Sequence, residues 1–418
     1  MNLQMLQDIS GHTGELKIDV QSQENQIPIK NATIQIAYTG EPDKIIEEVS
    51  TRNIGSTENI TLNTPPVEYS LSPGNVQPYS EYNLTISAEG FEKTVISGVE
   101  LLEGVLSIQN IQLKPFTNQP DTDRVVIGPH TLYGDYPPKI AEAEVKPVNE
   151  TGEIVLSRVV VPEYIIVHDG PPSDSSAKNY YVKYKDYIKN VASSEIYATW
   201  PIEAIRANIL AIMSFTLNRV YTEWYRNKGY DFTITSSTAY DHKWIKDRNI
   251  FDTISTVTDE LYGNYLSRPN VKQPILTQYC DGRRVTCPNW MSQWGSSELG
   301  AQGYDAIDII RYYYGDNMYI NVAEDISGVP SSWPGYNLEI GSSGSKVLQM
   351  QEQLNKISTA YPAIPQITAD GIYGEATANA VRIFQKTFGL PQTGVVDYPT
   401  WYKISEIYVG VSRIAELT

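Results

Sequence analysis

The sequence predicts a multidomain protein: an N-terminal all-β sandwich over residues 1–115, a linker over 116–154, a central α+β domain over 155–330 and a small three-helix module over 338–410. Three observations predict it. Short runs near the N-terminus alternate apolar and polar residues, as half-buried strands do. Helical spacing of apolar residues becomes clear only after residue 180. A turn followed by a helical pattern then occurs twice near the C-terminus, which argues for a compact helical module with a groove.

Taken in order, LKIDV, ATIQIAY, ENITL, YNLTISA and VLSIQNIQL are the alternating runs, separated by clusters of Gly, Pro, Asn and Ser. That pattern suits a small antiparallel sandwich with one face of each sheet in the core. Beyond Phe116 the chain becomes rich in proline and charge and loses periodicity. This is linker chemistry, and an extended linker is where a protease would cut. An ordinary interdomain tether fits the same residues. The following SRVVVPEYIIVHDGPP reads as a buried strand ending in His168 and Asp169, which a local hydrogen bond would explain as well as a ligand site.

The central domain is organised around Tyr180 to Tyr221. Tyr184, Tyr187, Ile188 and Val191 repeat at helical spacing, and Glu195, eleven residues after Tyr184, returns to nearly the same face. A second helix follows, with Pro201 in its first turn and Ile205, Ile209, Ile212 and Thr216 along one stripe. Glu195 is therefore expected at a helix-to-helix corner against apolar neighbours. Desolvation there raises a carboxyl pKa, as a general acid working near neutral pH requires. A helix-end glutamate that turns back into water would show the same spacing. Glu203 falls in the first turn of the second helix, where glutamate commonly caps. Thr233 to Asp241 reads as a polar segment lining a groove, and Gln278 to Trp294 as a turn-rich loop carrying Cys280 and Cys287.

In the tail, Asp370 to Thr377 matches Thr393 to Thr400 in register, with Gly371 facing Gly394 and Thr377 facing Thr400. The glycines suit turns needing positive φ, and each threonine sits near a helix start.

Over the whole chain of 418 residues the net charge is −17, and the basic residues form no long run. Such a field repels nucleic acid and anionic lipid, so neither is expected as a partner. Thirty tyrosines against seven phenylalanines suit contacts with polar rings such as sugars, though a tyrosine-rich core gives the same count. The N-terminal residues have neither a basic start nor an apolar run, so they predict no secretory signal, and no later stretch predicts a membrane span. Two cysteines are too few for a disulfide framework; one bridge, half of a metal site or two free thiols all remain open.

Three stretches resemble known families. Tyr82 to Pro115 resembles the carboxypeptidase-regulatory-like sandwich, whose usual role is structural. GSSGSKVLQMQEQLN, DGIYGEATANAVRIFQKTFGLPQTGVV and YPTWYKI closely resemble the peptidoglycan-binding module of cell-wall hydrolases. SSEIYATWPIEAIRANILAIMSFTLNR and, after the cysteine loop, MSQWGSSELGAQGYDAIDIIRYYYG resemble the stage II sporulation protein D family.

The resemblance implies a lytic transglycosylase acting on spore cortex peptidoglycan, located around the cortex outside the spore core, with Glu195 as its catalytic acid. It further implies a leader and linker removed by a germination serine protease, with a cut expected within roughly 116–158. Ser194, Arg206, Tyr279, Ser292, Gln293 and Trp294 fall in the matching motifs and are the candidates for holding sugar or steadying charge. Arg206 could equally be a salt-bridge partner and Trp294 a core residue. Family members are described with a zinc site of histidine and cysteine near the loop. Here tyrosine precedes Cys280 and His168 and His242 are distant in sequence, so no metal or other cofactor is expected. Two other functions stay open: a hydrolytic muramidase using Asp241 or Asp281 as a second acid, and a non-catalytic wall-binding protein.

Overall fold

The computed structural model describes residues 11–24, 26–116, 122–134, 137–146, 159–323, 325–327 and 336–412. The first ten residues, and the part of the expected cleavage window from 147 to 158, lie outside the described residues. The chain forms two compact units. The larger takes in the described residues of Met1–Gln21, Pro28–Val161 and Ile165–Asp325, and the smaller those of Ser22–Ile27, Pro162–Tyr164 and Ile326–Thr418.

In the larger unit, strands β1 (Thr13–Ser22), β2 (Thr33–Tyr38), β3 (Ile45–Ser50), β4 (Ile60–Asn63), β5 (Ser80–Ser87), β6 (Lys93–Leu101) and β7 (Leu106–Leu113) build two facing layers, with one helical turn, α1 (Glu68–Leu71), between β4 and β5. Leu16, Ile18 and Val20 of β1 alternate into a core shared with Ile34, Ile36, Leu84, Ile86, Ile96 and Leu113. Burying each such side chain contributes about 1.5–3 kcal/mol.

Both layers recruit strands from outside the expected sandwich. β8 (Thr122–Val126) adds in parallel to β6, from Lys93↔Thr122 to Ser97↔Val126, so part of the stretch read as linker is sheet. Beyond the short strands β9 (Val160–Pro162), β10 (Tyr164–His168), β11 (Asn179–Lys183) and β12 (Ile234–Thr235), β13 (Ile250–Phe251) pairs antiparallel with β7. The resulting sheets run β3-β2-β5-β6-β8 and β13-β7-β1-β4. Beside β13, Arg248 and Glu100 form a buried ion pair at 2.8 Å, and the Asn249 side chain bonds both the N–H and the carbonyl of Glu100. The sandwich and the α+β part are thus one packed body, not beads on a tether.

The α+β part holds α2 (Tyr184–Glu195), α3 (Ile202–Tyr221), α4 (Asp252–Glu260), β14 (Asn264–Ser267), β15 (Tyr279–Cys280), β16 (Met291–Ser292), α5 (Gln293–Ala301), α6 (Ala306–Tyr314) and β17 (Tyr319–Val322). Sequence spacing suggests one apolar stripe on α3, yet the helix is buried nearly all round, from Ala204 to Tyr221. A helix enclosed on every side must satisfy its polar residues internally. Asn208 bonds Ser296, Ser214 bonds the Ile275 carbonyl, and Asn218 bonds the Pro274 carbonyl. Glu203 does not cap its own helix; it accepts the Ala306 N–H at 2.9 Å and so caps α6.

The smaller unit contains α7 (Ser345–Ala360), α8 (Glu375–Thr387) and α9 (Tyr398–Ser412) around Val347, Leu354, Tyr373, Phe384 and Trp401. The repeat seen in the sequence is real in three dimensions. Gly371 and Gly394 have φ of +73° and +70°, the left-handed region that glycine enters without strain. A buried glutamine closes each turn: Gln351 accepts the Gly371 N–H and Gln385 the Gly394 N–H, while their amides reach Thr377 and Thr400.

Candidate active site

Glu195 is the last residue of α2, and the chain then turns through residues 196–201 into α3. Three helical turns carry it from the buried Tyr184 back to the core face, and it is 2% exposed. One carboxylate oxygen accepts the Lys243 N–H at 2.6 Å, and the other faces the Gln293 amide at 3.3 Å. Burial raises its pKa; the buried Lys139 ammonium, the Lys243 N–H, Tyr279 and Gln293 each offset part of that rise. Desolvation prevails over its neighbours, as a proton donor requires.

Glu195 opens onto a cavity of about 10 Å³ lined also by Thr131, Lys139, Thr238, Tyr279, Cys280 and Gln293. That is no more room than one water molecule needs. The Tyr279 hydroxyl is buried without a full hydrogen bond, and its ring lies parallel to His242 at 5.9 Å. His242 is bonded through Nδ1 to the Tyr187 hydroxyl at 2.9 Å. Burial, with Lys139 and Arg219 nearby, pushes its pKa well down, so the ring is neutral.

Of the residues singled out in the sequence, Glu195, Tyr279 and Gln293 meet at this cavity. The others do different work. Arg206 bridges Glu203 at 2.5 Å and Glu260 at 2.9 Å, the salt-bridge alternative. Ser292 caps α5 by accepting the Gly295 N–H at 2.9 Å. Trp294 is buried against Trp200 with ring centres 5.0 Å apart, a core contact. Ser194 is fully buried with its hydroxyl unbonded, and its carbonyl accepts the Thr131 N–H.

The two acids considered as a second carboxylate are both committed elsewhere. Asp241, 0% exposed, accepts Arg219 Nε and the Tyr225 hydroxyl at 2.7 Å and both the N–H and hydroxyl of Thr235. Asp281 orders its own loop by accepting the N–H groups of Arg283, Arg284 and Val285. Cys280 and Cys287 are joined as a disulfide, with Cα atoms 5.6 Å apart, which selects one of the three states left open. The zinc site that the family resemblance brings with it does not fit, because the thiolates it needs are bonded to each other. Among the described residues, no cluster of three His, Cys, Asp or Glu side chains is placed to hold a metal.

Sequence reasoning missed Lys139 and the cluster below it. Lys139 comes from the stretch read as linker, yet its ammonium is buried between the rings of Phe215 and Tyr279, 5.2 Å from each centre, and donates to the Asp241 carbonyl. Nothing in the local pattern of the linker signals that placement.

Comparison with known proteins divides along the same lines. Residues 174–269 match the family model described as stage II sporulation protein, which includes Glu195 and ends before the cysteine loop. Residues 343–404 match that described as peptidoglycan binding domain. No curated protein sequence matches the chain. Among solved structures, the SleB N-terminal domain is 27% identical over 18% of this chain and 99% of that one, with a TM-score of 0.16. The Bacillus anthracis TIE protein is 14% identical over 25% of this chain and 17% of that one, at 0.18. Catechol 1,2-dioxygenase from Acinetobacter sp. ADP1 is 18% identical over 28% and 59%, at 0.19. The two family matches make this a sporulation protein associated with the cell wall, with peptidoglycan as a partner. Among the described residues, no helix is long and apolar enough to cross a membrane.

Proposed function

We propose that the protein is a lytic transglycosylase that cleaves the bond between N-acetylmuramic acid and N-acetylglucosamine in spore cortex peptidoglycan during germination, and that it is made as a zymogen activated by a serine protease. The observation that carries the reading is Glu195: one acid, buried, with its pKa raised, on a cavity shared with Tyr279 and Gln293. A β-rich leader, a sporulation-type domain and a binding module last is also the order in the clostridial spore cortex-lytic enzyme SleC, which the sequence resembles.

A hydrolytic glycosidase generally needs two carboxylates flanking the bond. With Asp241 and Asp281 engaged, the site supplies one, which suits a reaction that needs no water. Protonated Glu195 gives its proton to the bridging oxygen, the bond from C1 of the muramic sugar breaks, and the glucosamine unit leaves with a hydroxyl. The carboxylate then removes the proton from the muramic C6 hydroxyl, whose oxygen bonds to C1. The product is a 1,6-anhydro end, and Glu195 is protonated again. Tyr279 and Gln293 stand where they can steady the charge that develops on the sugar and on the carboxylate.

Mass spectrometry of cortex digested by the protease-treated chain tests this. Anhydro-muramic ends are expected, and reducing ends would instead show hydrolysis. Glu195→Gln should abolish cleavage while leaving wall binding intact. A variant that cleaves as fast as the parent would remove Glu195 from the chemistry, and binding without any cleavage by the parent would favour a structural wall protein.

A further inference from the structure

Residues 137–146 run along the catalytic part as an extended strap. Ile140 donates its N–H to the Ala239 carbonyl, and its own carbonyl accepts the Gln278 amide; Glu142 donates to Gln278 and Lys146 to Gln273, while the Glu144 carbonyl accepts the Leu276 N–H. The side-chain pattern along it is inverted. Ile140 and Val145 are 47% and 39% exposed, while the side chains of Lys146 and Glu142 are 5% and 13% exposed; Glu144 is half-buried against Arg268. A segment kept for packing would do the opposite.

The two carboxylates sit on fixed cations, while Lys146 pairs with Glu142 within the strap. Glu142 is held by the two outer nitrogens of Arg219 at 2.6 and 2.9 Å, and Glu144 by Arg268 at 2.7 and 2.8 Å. Both are two-point carboxylate grips. Arg219 is fully buried; Asp241 holds its Nε and the Tyr240 carbonyl accepts from Nη2 at 3.1 Å, so Glu142 is the partner that Nη1 has. If the strap leaves, Arg219 keeps Asp241 and the Tyr240 carbonyl but loses its two-point grip on Glu142, which leaves Nη1 a donor position that another carboxylate fits. At the Glu195 end, Lys139 of the same strap lines the small cavity onto which Glu195 opens.

We infer that residues 137–146 occupy the groove of the glycan strand, and that Arg219 and Arg268, gripping Glu142 and Glu144 in the closed form, become the subsites for carboxylates of the peptidoglycan strand once the strap withdraws. The inference rests on the reading of Glu195 as the lytic centre. Its ligand class is a glycan bearing carboxylates, whether on peptide stems or on the lactyl groups of muramic acid. Proteolysis on the C-terminal side of the strap would free one end of it.

The test uses the full chain carrying Glu195→Gln, so that no strand is consumed, with a single protease recognition sequence placed within 147–158 and cut in place. Calorimetry measures binding of soluble glycan strands in three forms: with peptide stems, stripped to lactyl carboxylates, and with every carboxyl amidated. Cutting, together with Glu142→Gln and Glu144→Gln to loosen the strap, should tighten binding of a carboxylate-bearing form by about tenfold or more, the effect of one lost or gained charge-assisted hydrogen bond. Amidated strands should show no such gain, and Arg268→Gln should remove most of it while Arg268→Lys restores part. The form with the larger gain identifies the carboxylate source. An equal gain for amidated strands, or a gain indifferent to Arg268→Gln, overturns the carboxylate subsites; no gain for any form overturns the strap. Failure of the lytic reading would look different: this binding intact, but no anhydro ends from the cut chain that retains Glu195.

Discussion

The corner that holds Glu195 and the pocket that holds Asp241 each bury a carboxylate in the same unit, and they treat it oppositely. Asp241 receives four donors, one of them a guanidinium. Glu195 receives a backbone N–H, a long contact from an amide and the Tyr279 hydroxyl nearby without a full bond, and burial raises its pKa. Lys139, which lines the same cavity as Glu195, donates its hydrogen bond to the Asp241 carbonyl instead. A carboxylate with every lone pair answered is a structural brace, and one left short of partners is a proton donor in waiting. The same unit makes both, and the difference lies in donor count rather than in depth.

Removing the brace should have the largest effect. Asp241→Ala leaves the buried Arg219 with Glu142 and the Tyr240 carbonyl, and breaking a buried pair typically costs about 3–5 kcal/mol. Urea unfolding of the full chain measures it, and a loss below about 1 kcal/mol would mean that Glu142 alone neutralises Arg219. The next effect separates the two tyrosines. Tyr225→Phe deletes a 2.7 Å bond to Asp241 and should destabilise by about 1.5–3 kcal/mol. Tyr279→Phe deletes a hydroxyl that is already buried without a full bond, so stability should be unchanged or slightly improved. Equal losses for the two would erase the distinction drawn between the sites.

The sequence made Glu195 legible because a helical period is a strong signal, and eleven residues bring a side chain back to a known core face. It made the turns of the C-terminal repeat legible through Gly371 and Gly394. The glutamines that close those turns were hidden, since Gln351 lies twenty residues before its glycine and Gln385 only nine before its own. Tyr279 and Gln293 became visible only through family motifs, and the same motifs pointed equally to Ser292, whose hydroxyl caps a helix, and Trp294, whose ring packs in the core. The strap was misread for a physical reason. Proline, charge and missing periodicity describe a solvated tether, and here the charges are instead partnered: Glu142 by Arg219, Glu144 by Arg268 and Lys139 by the Asp241 carbonyl. β13 contributes two residues to the sandwich, too few for any alternation to show.

The smallest expected effect is also the sharpest test of the comparison. In the folded chain the Glu195 pKa lies above its unfolded value because burial disfavours the charged form. The unfolded chain therefore gives up this proton at lower pH than the folded one, and stability contributed by the retained proton is present below the unfolded pKa and lost as pH rises through the folded one. Glu195→Gln carries no such titration. At neutral pH the variant should be more stable than the parent, and the gap should close as pH falls toward the usual glutamate range. Thermal unfolding across that window reads the sign directly. Were the variant less stable at neutral pH and the gap to shrink on acidification, Glu195 would be a carboxylate whose charge the fold requires, and it could not serve as the acid that starts the reaction.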